Sequence, residues 1–483
     1  MNKLQPQPNP PELALGLAAF DSLRAEDEPW LNRCFIPPPH IEQISGDRSV
    51  IVFGGPGSGK TTLNQFLKRL CLDGQGTPMR LVAEWTPSPL TVDQELKGIA
   101  AVRAQTNQVF DACVESILQF LAGYPDRFQT APETAKESLA WFVHEYSQSD
   151  LSLRIEQIIE DEQPPGAEIL NSLLAAESRR VLPPGAGPDK VAARLVRTLQ
   201  AIGLNGVWVL GNDDELEMWV DVNPDELIAN LQNLFSTLPL FERAKFSYKL
   251  LLPSWLEQKT LGVVQRIRLR QRIFPYYLNH WQPKNLHDLV NRRLSIATGQ
   301  PDFTLNNLCA SPKLRPWLEW VGAASPREWL EQVKPLLAHY LTNSCQQPID
   351  AATWEELRLV NPPRLYLDDE RRRITVGARP IPLEELPAKA YEMLRFLYQQ
   401  PSDQVTSREA LYYRIYRDLD YIPQPGDANY EGPAEYRGMI DTSLWRLRHA
   451  IEPDMVIEPD KKARELILLV TVRGHGVKLN TRW

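Results

Sequence analysis

Hydrophobic residues fall into two alternating patterns along this chain. Short unbroken apolar runs stand at SVIVFGG (49–55) and GVWVLG (206–211), the composition of strands buried on both faces. Further strands are expected at MRLVAEW (79–85), KFSYKLLLP (245–253) and VVQRIRLR (263–270), the last on its alternation of apolar residues with arginine. Between the runs, apolar residues recur at helical spacing. TTLNQFLKRLCL places Leu63, Phe66, Leu67 and Leu70 on one face, and QPKNLHDLVNRRLSIAT (282–298) turns Leu286, Leu289, Val290 and Leu294 inward. A long helical stretch covers about 90–200, broken at QPPGAE and VLPPGAGPD. Strands alternating with helices predict an α/β fold, a mostly parallel sheet covered on both sides.

The same punctuation sets the organisation. A Pro-rich tail and a short helical lead-in (PELALGLAAFDSLRAEDEPWL) occupy 1–45 and end at the turn-forming FIPPPH. The α/β core, with its helical insertion at about 90–200, spans 46–280, and a helical lid spans 281–350. NPPRLYL (361–367) opens a separate unit over 360–483. In that unit short strands in RLYLDDERRRITVGARPIPL precede three helices, LPAKAYEMLRFLYQQPSDQV, SREALYYRIY and IDTSLWRLRHAIEPD, and LILLVTVRGHGVKL closes as a hairpin. Three helices followed by a hairpin predict a winged helix-turn-helix. Ser407 is the expected cap of its second helix, with Glu409 as the nearby acid.

Length and composition narrow the function classes. The 483 residues divide more naturally into two or three cores than one. A net charge of −8 excludes a protein that coats nucleic acid non-specifically, yet leaves room for a local basic surface. Cys34, Cys71, Cys113, Cys309 and Cys345 lack CxxC or metal-ligand spacing, so reduced thiols are expected. No apolar stretch approaches the ~18 residues of a membrane helix, and the first residues, MNKLQPQPNPPEL, lack an apolar signal core; a cytoplasmic location is expected.

The sharpest chemistry lies in Gly54-Gly55-Pro56-Gly57-Ser58-Gly59-Lys60-Thr61, which fits G-x-x-x-x-G-K-[ST] between a predicted strand and helix. Glycines allow backbone angles that turn successive N–H groups inward on phosphate oxygens. Lys60 would neutralise the β- and γ-phosphates, the Thr61 hydroxyl would ligate Mg²⁺, and Thr62 follows on the same first turn. ATP or ADP with Mg²⁺ is the expected cofactor. Hydrolysis further needs an acid at the end of a neighbouring strand. GVWVLGNDDELE offers Asp213 for magnesium and Asp214 or Glu215 for orienting water, although Gly211 and Asn212 intervene. Charge compensation is expected from Arg266, Arg268, Arg270 or Arg272, read as one face of a strand, or from Arg292 and Arg293.

The order of P-loop, helical insertion, acid-bearing strand, LLLP strand and NRRL helix resembles the AAA+/STAND class of P-loop ATPases over residues ~10 to ~345. The resemblance implies a switch that exchanges ADP for ATP and changes its homo-oligomeric state. The C-terminal unit resembles the OmpR/PhoB-type effector domain. It carries Arg446-Leu447-Arg448, Glu452-Pro453-Asp454 and Thr471-Val472-Arg473-Gly474-His475-Gly476, but Val477 stands where that family has an aromatic. This implies a third helix in the major groove of duplex DNA, with Thr442 and Arg446, and Trp445 or Ser443, near bases or phosphates, Arg448 either joining them on the DNA or packing structurally, and Arg473 in the wing. The expected function is a nucleotide-switched transcriptional regulator. Acids in the unit balance its Lys and Arg, and STAND proteins use such a module as an intramolecular clamp or protein-binding element, with His449 or His475 as the clamp histidine. Both roles stay open at this point.

Overall fold

The computed structural model describes residues 20, 34–55, 57–73, 79–87, 99–176, 180–183, 185–211, 223–278, 281–342, 347–369, 373–382, 386–401, 404–452 and 467–481. Two compact units emerge, one of residues 37–280 and one of 1–36 with 281–483.

The first unit is built on a five-stranded parallel sheet: β1 (Ser49–Gly54), β2 (Leu81–Trp85), β3 (Val207–Gly211), β4 (Phe246–Pro253) and β5 (Ile273–Tyr277), in the order β2-β3-β4-β1-β5. Period-two alternation sends Ile51, Phe53, Val207, Val209, Leu250 and Leu252 into one hydrophobic layer, and Val50, Val52, Trp208, Leu210 and Leu251 into the other. The second layer is closed by α1 (Lys60–Asp73), which contributes Leu63, Leu67 and Cys71. The first is covered by α2 (Ile99–Gly123), α3 (Glu133–Tyr146), α4 (Leu151–Glu162), α5 (Ala167–Ala175), α6 (Pro188–Ala201), α7 (Pro224–Phe241) and α8 (Glu257–Arg266). Each side chain so buried contributes about 1.5–3 kcal/mol. The insertion is therefore integral to the core: Phe110, Val114 and Leu118 of α2 pack in the same layer as the strands.

One strand expectation is corrected. Residues 263–270 are not extended: α8 runs to Arg266, and Arg268 turns the chain at φ 59°. Thr260, Val263 and Val264 are buried at helical spacing, which the apparent alternation of apolar residues and arginine concealed. The fifth strand lies further on, IFPYY, despite Pro275. An edge strand tolerates that proline because one side needs no ladder hydrogen bond, and among the described residues β5 pairs with β1 alone.

In the second unit, α9 (Pro283–Thr298) buries Leu286, Leu289, Val290 and Leu294 as expected, against α10 (Leu314–Gly322), α11 (Pro326–Thr342) and α12 (Ala351–Val360). An antiparallel sheet of β6 (Leu365–Asp368), β7 (Arg373–Val376) and β8 (Arg379–Pro380) follows. Then come α13 (Ala388–Tyr398), α14 (Arg408–Tyr416), α15 (Pro433–Ile451) and a hairpin of β9 (Leu469–Val472) and β10 (Gly476–Leu479). The Ser407 side chain accepts the Ala410 N–H at 3.0 Å and caps α14. Helix α15 starts earlier than the sequence pattern predicts. Gly438 reads as a break, but Tyr436, Ile440, Leu444 and Leu447 form one buried seam, and Pro433 opens the first turn. The helical lead-in before Phe35 lies almost wholly outside the described residues.

Candidate functional site

The sheet order places β1 between β4 and β5, so the loop after β1 emerges at the carboxyl edge with a strand end on either side. Gly57 (φ 72°) and Gly59 (φ 93°) occupy the left-handed region, where a side chain is disfavoured. The Ser58 N–H closes the turn on the Gly55 carbonyl at 3.2 Å. A Cβ at Gly54 would stand 2.3 Å from Ser58 Oγ, whereas one at Gly55 or Gly59 would meet nothing within 4 Å. Space is thus left along the loop at Gly55 and Gly59, while Gly54 is packed tight. Helix α1 opens at Lys60, and its first turn carries no acid. Its orphan N–H groups face the loop with positive dipole. Lys60 is 7% exposed and donates to the Gly54 carbonyl at 3.5 Å. Thr61 and Thr62 are half-buried on the first turn of α1. Pro56 lies outside the described residues.

Asp213, Asp214 and Glu215 also lie outside the described residues. The strand before them ends at Gly211, and β4 separates β3 from β1. Two strand spacings, about 10 Å, therefore divide the β3 and β1 ends at the same edge of the sheet.

Three residues that sequence reasoning passed over flank the loop. Gly54 is in register with Pro253, so Ser254 follows directly on the adjoining strand end. Phe53 is in register with Tyr277, whose hydroxyl donates to Glu257 Oε1 at 2.7 Å. That hydrogen bond, with burial, pushes the tyrosine up to about 12. The only sequence signal was the proximity of LLLPSW to a second strand end, and the misplaced fifth strand hid Tyr277.

The arginine group does not form the face predicted for it. Arg266 reaches Gln232 at 3.5 Å, and Arg272 pairs with Glu242 at 2.8 Å, both on the α7 side of the unit. In the second unit, Arg292 is exposed and Arg293 is 6% exposed on α9.

Helix α15 presents Thr442, Trp445, Arg446 and His449 on an exposed face. The Thr442 hydroxyl donates to Gly438 O at 2.7 Å, and the Trp445 and His449 rings meet at a tilt of 36° with centroids 3.6 Å apart. Arg473 is exposed in the turn of the closing hairpin. Arg448 is turned away from that face and donates to Thr471 Oγ1 at 2.5 Å, tying the helix to β9. Glu452, 2% exposed, accepts the N–H groups of Ile467, Leu468 and Leu469 at 3.0, 2.8 and 2.6 Å. Burial raises its carboxyl above the usual range. Gly476, at φ 143°, packs so that a Cβ would lie 2.0 Å from the Thr406 carbonyl, and Thr406 and Val477 exchange both backbone hydrogen bonds. The second glycine of the TVRGHG turn and the acid after the RLR helix therefore fix the hairpin to the helices, while Gly474, at φ 77° in open space, serves the turn itself.

A parallel sheet with this loop between β1 and α1 is an α/β arrangement of the P-loop NTPase-like kind. No protein-family model and no curated protein matches the chain. Among solved structures it is similar to the Aeropyrum Pernix ORC2 protein, solved as ADPNP-ADP complexes, at 13% identity and a TM-score of 0.35, over 92% of this chain and 88% of that one. At that TM-score the likeness adds nothing to what the residues themselves carry. Among the described residues, no helix is long and apolar enough to cross a membrane, and no cluster of three His, Cys, Asp or Glu is placed to hold a metal.

Proposed function

We propose that this protein is an AAA+/STAND-like, ATP-binding switch whose C-terminal winged helix binds duplex DNA, acting as a transcriptional regulator. The observation that carries the nucleotide half is the Gly57–Gly59 turn opening α1 beside the buried Lys60. These residues suit a polyphosphate: backbone N–H groups and Lys60 hold the phosphates, and the Thr61 hydroxyl would ligate Mg²⁺. When bound, the magnesium nucleotide supplies a cleavable phosphoanhydride. Asp213, with Asp214 or Glu215, is the acid group proposed for Mg²⁺ and water; Ser254 and the Glu257–Tyr277 pair join the site as polar groups at the adjoining strand ends. The DNA half is supported by the shared exposed face of Thr442 and Arg446 and the exposed Arg473.

One observation favours a second reading. Trp445 is 57% and Met439 42% exposed on α15, an apolar surface more typical of a helix that meets protein than of one that meets phosphate. In that reading the module clamps this chain or holds a protein partner.

Fluorescence anisotropy of labelled duplexes separates the two readings, with ADP and then a slowly hydrolysed ATP analogue, at two salt concentrations. The regulator requires salt-dependent binding that weakens in Arg446→Ala and Arg473→Ala. Absence of binding with either nucleotide would refute DNA recognition and leave the clamp.

A further inference from the structure

The helical insertion contains a cavity of about 450 Å³, within the size range of small-molecule sites. It lies between α2, the end of α3 and the segment leading into α6. Its floor is aromatic. Phe110 and Tyr146 meet edge-on with centroids 4.8 Å apart, and Trp141 stands at 85° to Tyr146 at 6.0 Å. Phe110 and Trp141 belong to the buried core of this unit and Tyr146 packs against it, so the floor is held in place by that packing. Trp141 is 3% exposed, and its indole N–H is buried without an acceptor. Orphaned buried donors are uncommon, and a pocket ligand is one of the few ways to satisfy one.

The rim is cationic. Arg103 is exposed on α2 and has no partner among the described residues. Arg180 is 51% exposed and pairs with Glu145 at 3.4 Å. Among the described residues Glu145 is the one carboxylate lining the cavity, set against two guanidiniums. An aromatic floor prefers a planar ring, and paired arginines prefer a carboxylate, phosphate or sulfonate.

The geometry points to a binding site in this cavity for a small planar aromatic anion, its ring on Phe110, Trp141 and Tyr146 and its acidic group on Arg103 and Arg180. The site is separate from the P-loop: α2 packs on β2, three strands from β1, roughly 14 Å along the sheet. The same turn of α2 is nevertheless tied to the sheet edge. Gln105 accepts from Trp85 Nε1 at 3.1 Å and donates to Asn230 at 3.3 Å, and Gln108 donates to the Thr86 carbonyl at 2.5 Å.

The test is isothermal titration of the full chain, with magnesium and ADP present, using 2-naphthoate and the neutral 2-naphthamide as probes. One saturable naphthoate site is expected, with affinity at least ~10-fold weaker for the amide and for the Arg103→Gln/Arg180→Gln double variant. Trp141→Phe, which keeps a ring and removes the donor, should weaken naphthoate as well. Binding should survive Lys60→Ala, because the P-loop takes no part. Both arginines are exposed, so the double variant should keep the wild-type circular dichroism. The proposal is overturned by absence of saturable binding up to millimolar probe, by undiminished binding in a folded double variant, or by loss of binding in Lys60→Ala.

Discussion

Lys249 sits in the middle of β4 with no exposed surface, and its ammonium is the most deeply buried charge that the first unit carries on its sheet. Its Nζ donates to the carbonyls of Gly46 at 2.7 Å and Arg48 at 2.6 Å, tying the turn before β1 to β4. The indole of Trp208 lies beneath it at 5.0 Å, and the same ring carries Arg80 at 5.1 Å, itself paired with Asp47 at 2.7 Å. Burial, and then the Arg80 charge, pull Lys249 down to about 7, against partial opposition from Asp47 and Cys71. A neutral amine still has two N–H donors, one for each carbonyl, so the turn stays tied when the proton leaves.

The sign follows from proton counts. In the unfolded chain Lys249 keeps its proton until near 10.5, while the folded chain releases it near 7. Between those values the unfolded state binds more protons, so stability rises with pH. At about 1.4 kcal/mol per unit, and with half the proton already released at pH 7, the gain from pH 7 to 9 is roughly 2 kcal/mol. Above pH 9 the effect is masked: burial pushes the Cys71 thiol up to about 12, so its unfolded form ionises first and stability falls. The measurement is urea-dependent hydrogen exchange of the β4 peptide at pH 7, 8 and 9, corrected for intrinsic exchange, in wild type and Lys249→Met. Reading one strand avoids assuming that both units unfold together. Wild type should gain stability across this window and the variant should lack that gain. Parallel pH profiles in the two proteins, or a wild-type stability that falls from pH 7 to 9, would refute the assignment.

Lys60→Ala should weaken binding of a fluorescent ATP analogue by roughly 10–100-fold, the 1.5–3 kcal/mol of a charge-assisted hydrogen bond, and leave the melting curve nearly unchanged; unaltered affinity would remove Lys60 from the site. Glu452→Ala should destabilise the closing hairpin by about 3 kcal/mol or more, because three buried N–H groups lose their acceptor. Glu452→Gln, which keeps one acceptor oxygen, should cost less; hydrogen exchange of 467–472 orders the two variants. Gly476→Ala should free the hairpin from Thr406, since its Cβ would fall 2.0 Å from a carbonyl, while Gly474→Ala, in open space at φ 77°, should cost only about 1 kcal/mol. Equal thermal shifts for the two glycine variants would show that the Thr406 contact does not matter.

What could be read from sequence was what depends on near neighbours. The P-loop, its strand and its helix occupy consecutive residues, and the α9 seam obeys a local period. The fifth strand escaped because Pro275 argues against a strand, and only its edge position, set by pairing with a strand over 200 residues away, removes the objection. Lys249 is bonded to carbonyls 203 and 201 residues earlier, and the cavity in the insertion joins α2 to residues beyond 180, so neither leaves a local trace.

The RLR motif shows where local arithmetic should have gone further. Arg446 and Arg448 read alike in sequence, yet two residues of helix rotate a side chain by about 200°. Leu447 is fully buried between them, and Thr442, Arg446 and His449 share one turn-spaced face. Arg448 therefore cannot join that face, and its guanidinium reaches β9 through Thr471. The motif alone leaves Arg448 open between DNA contact and packing, and its spacing from Arg446 decides for packing. Helical geometry divides it into one residue free to meet a ligand and one that holds the hairpin where such a ligand would be met.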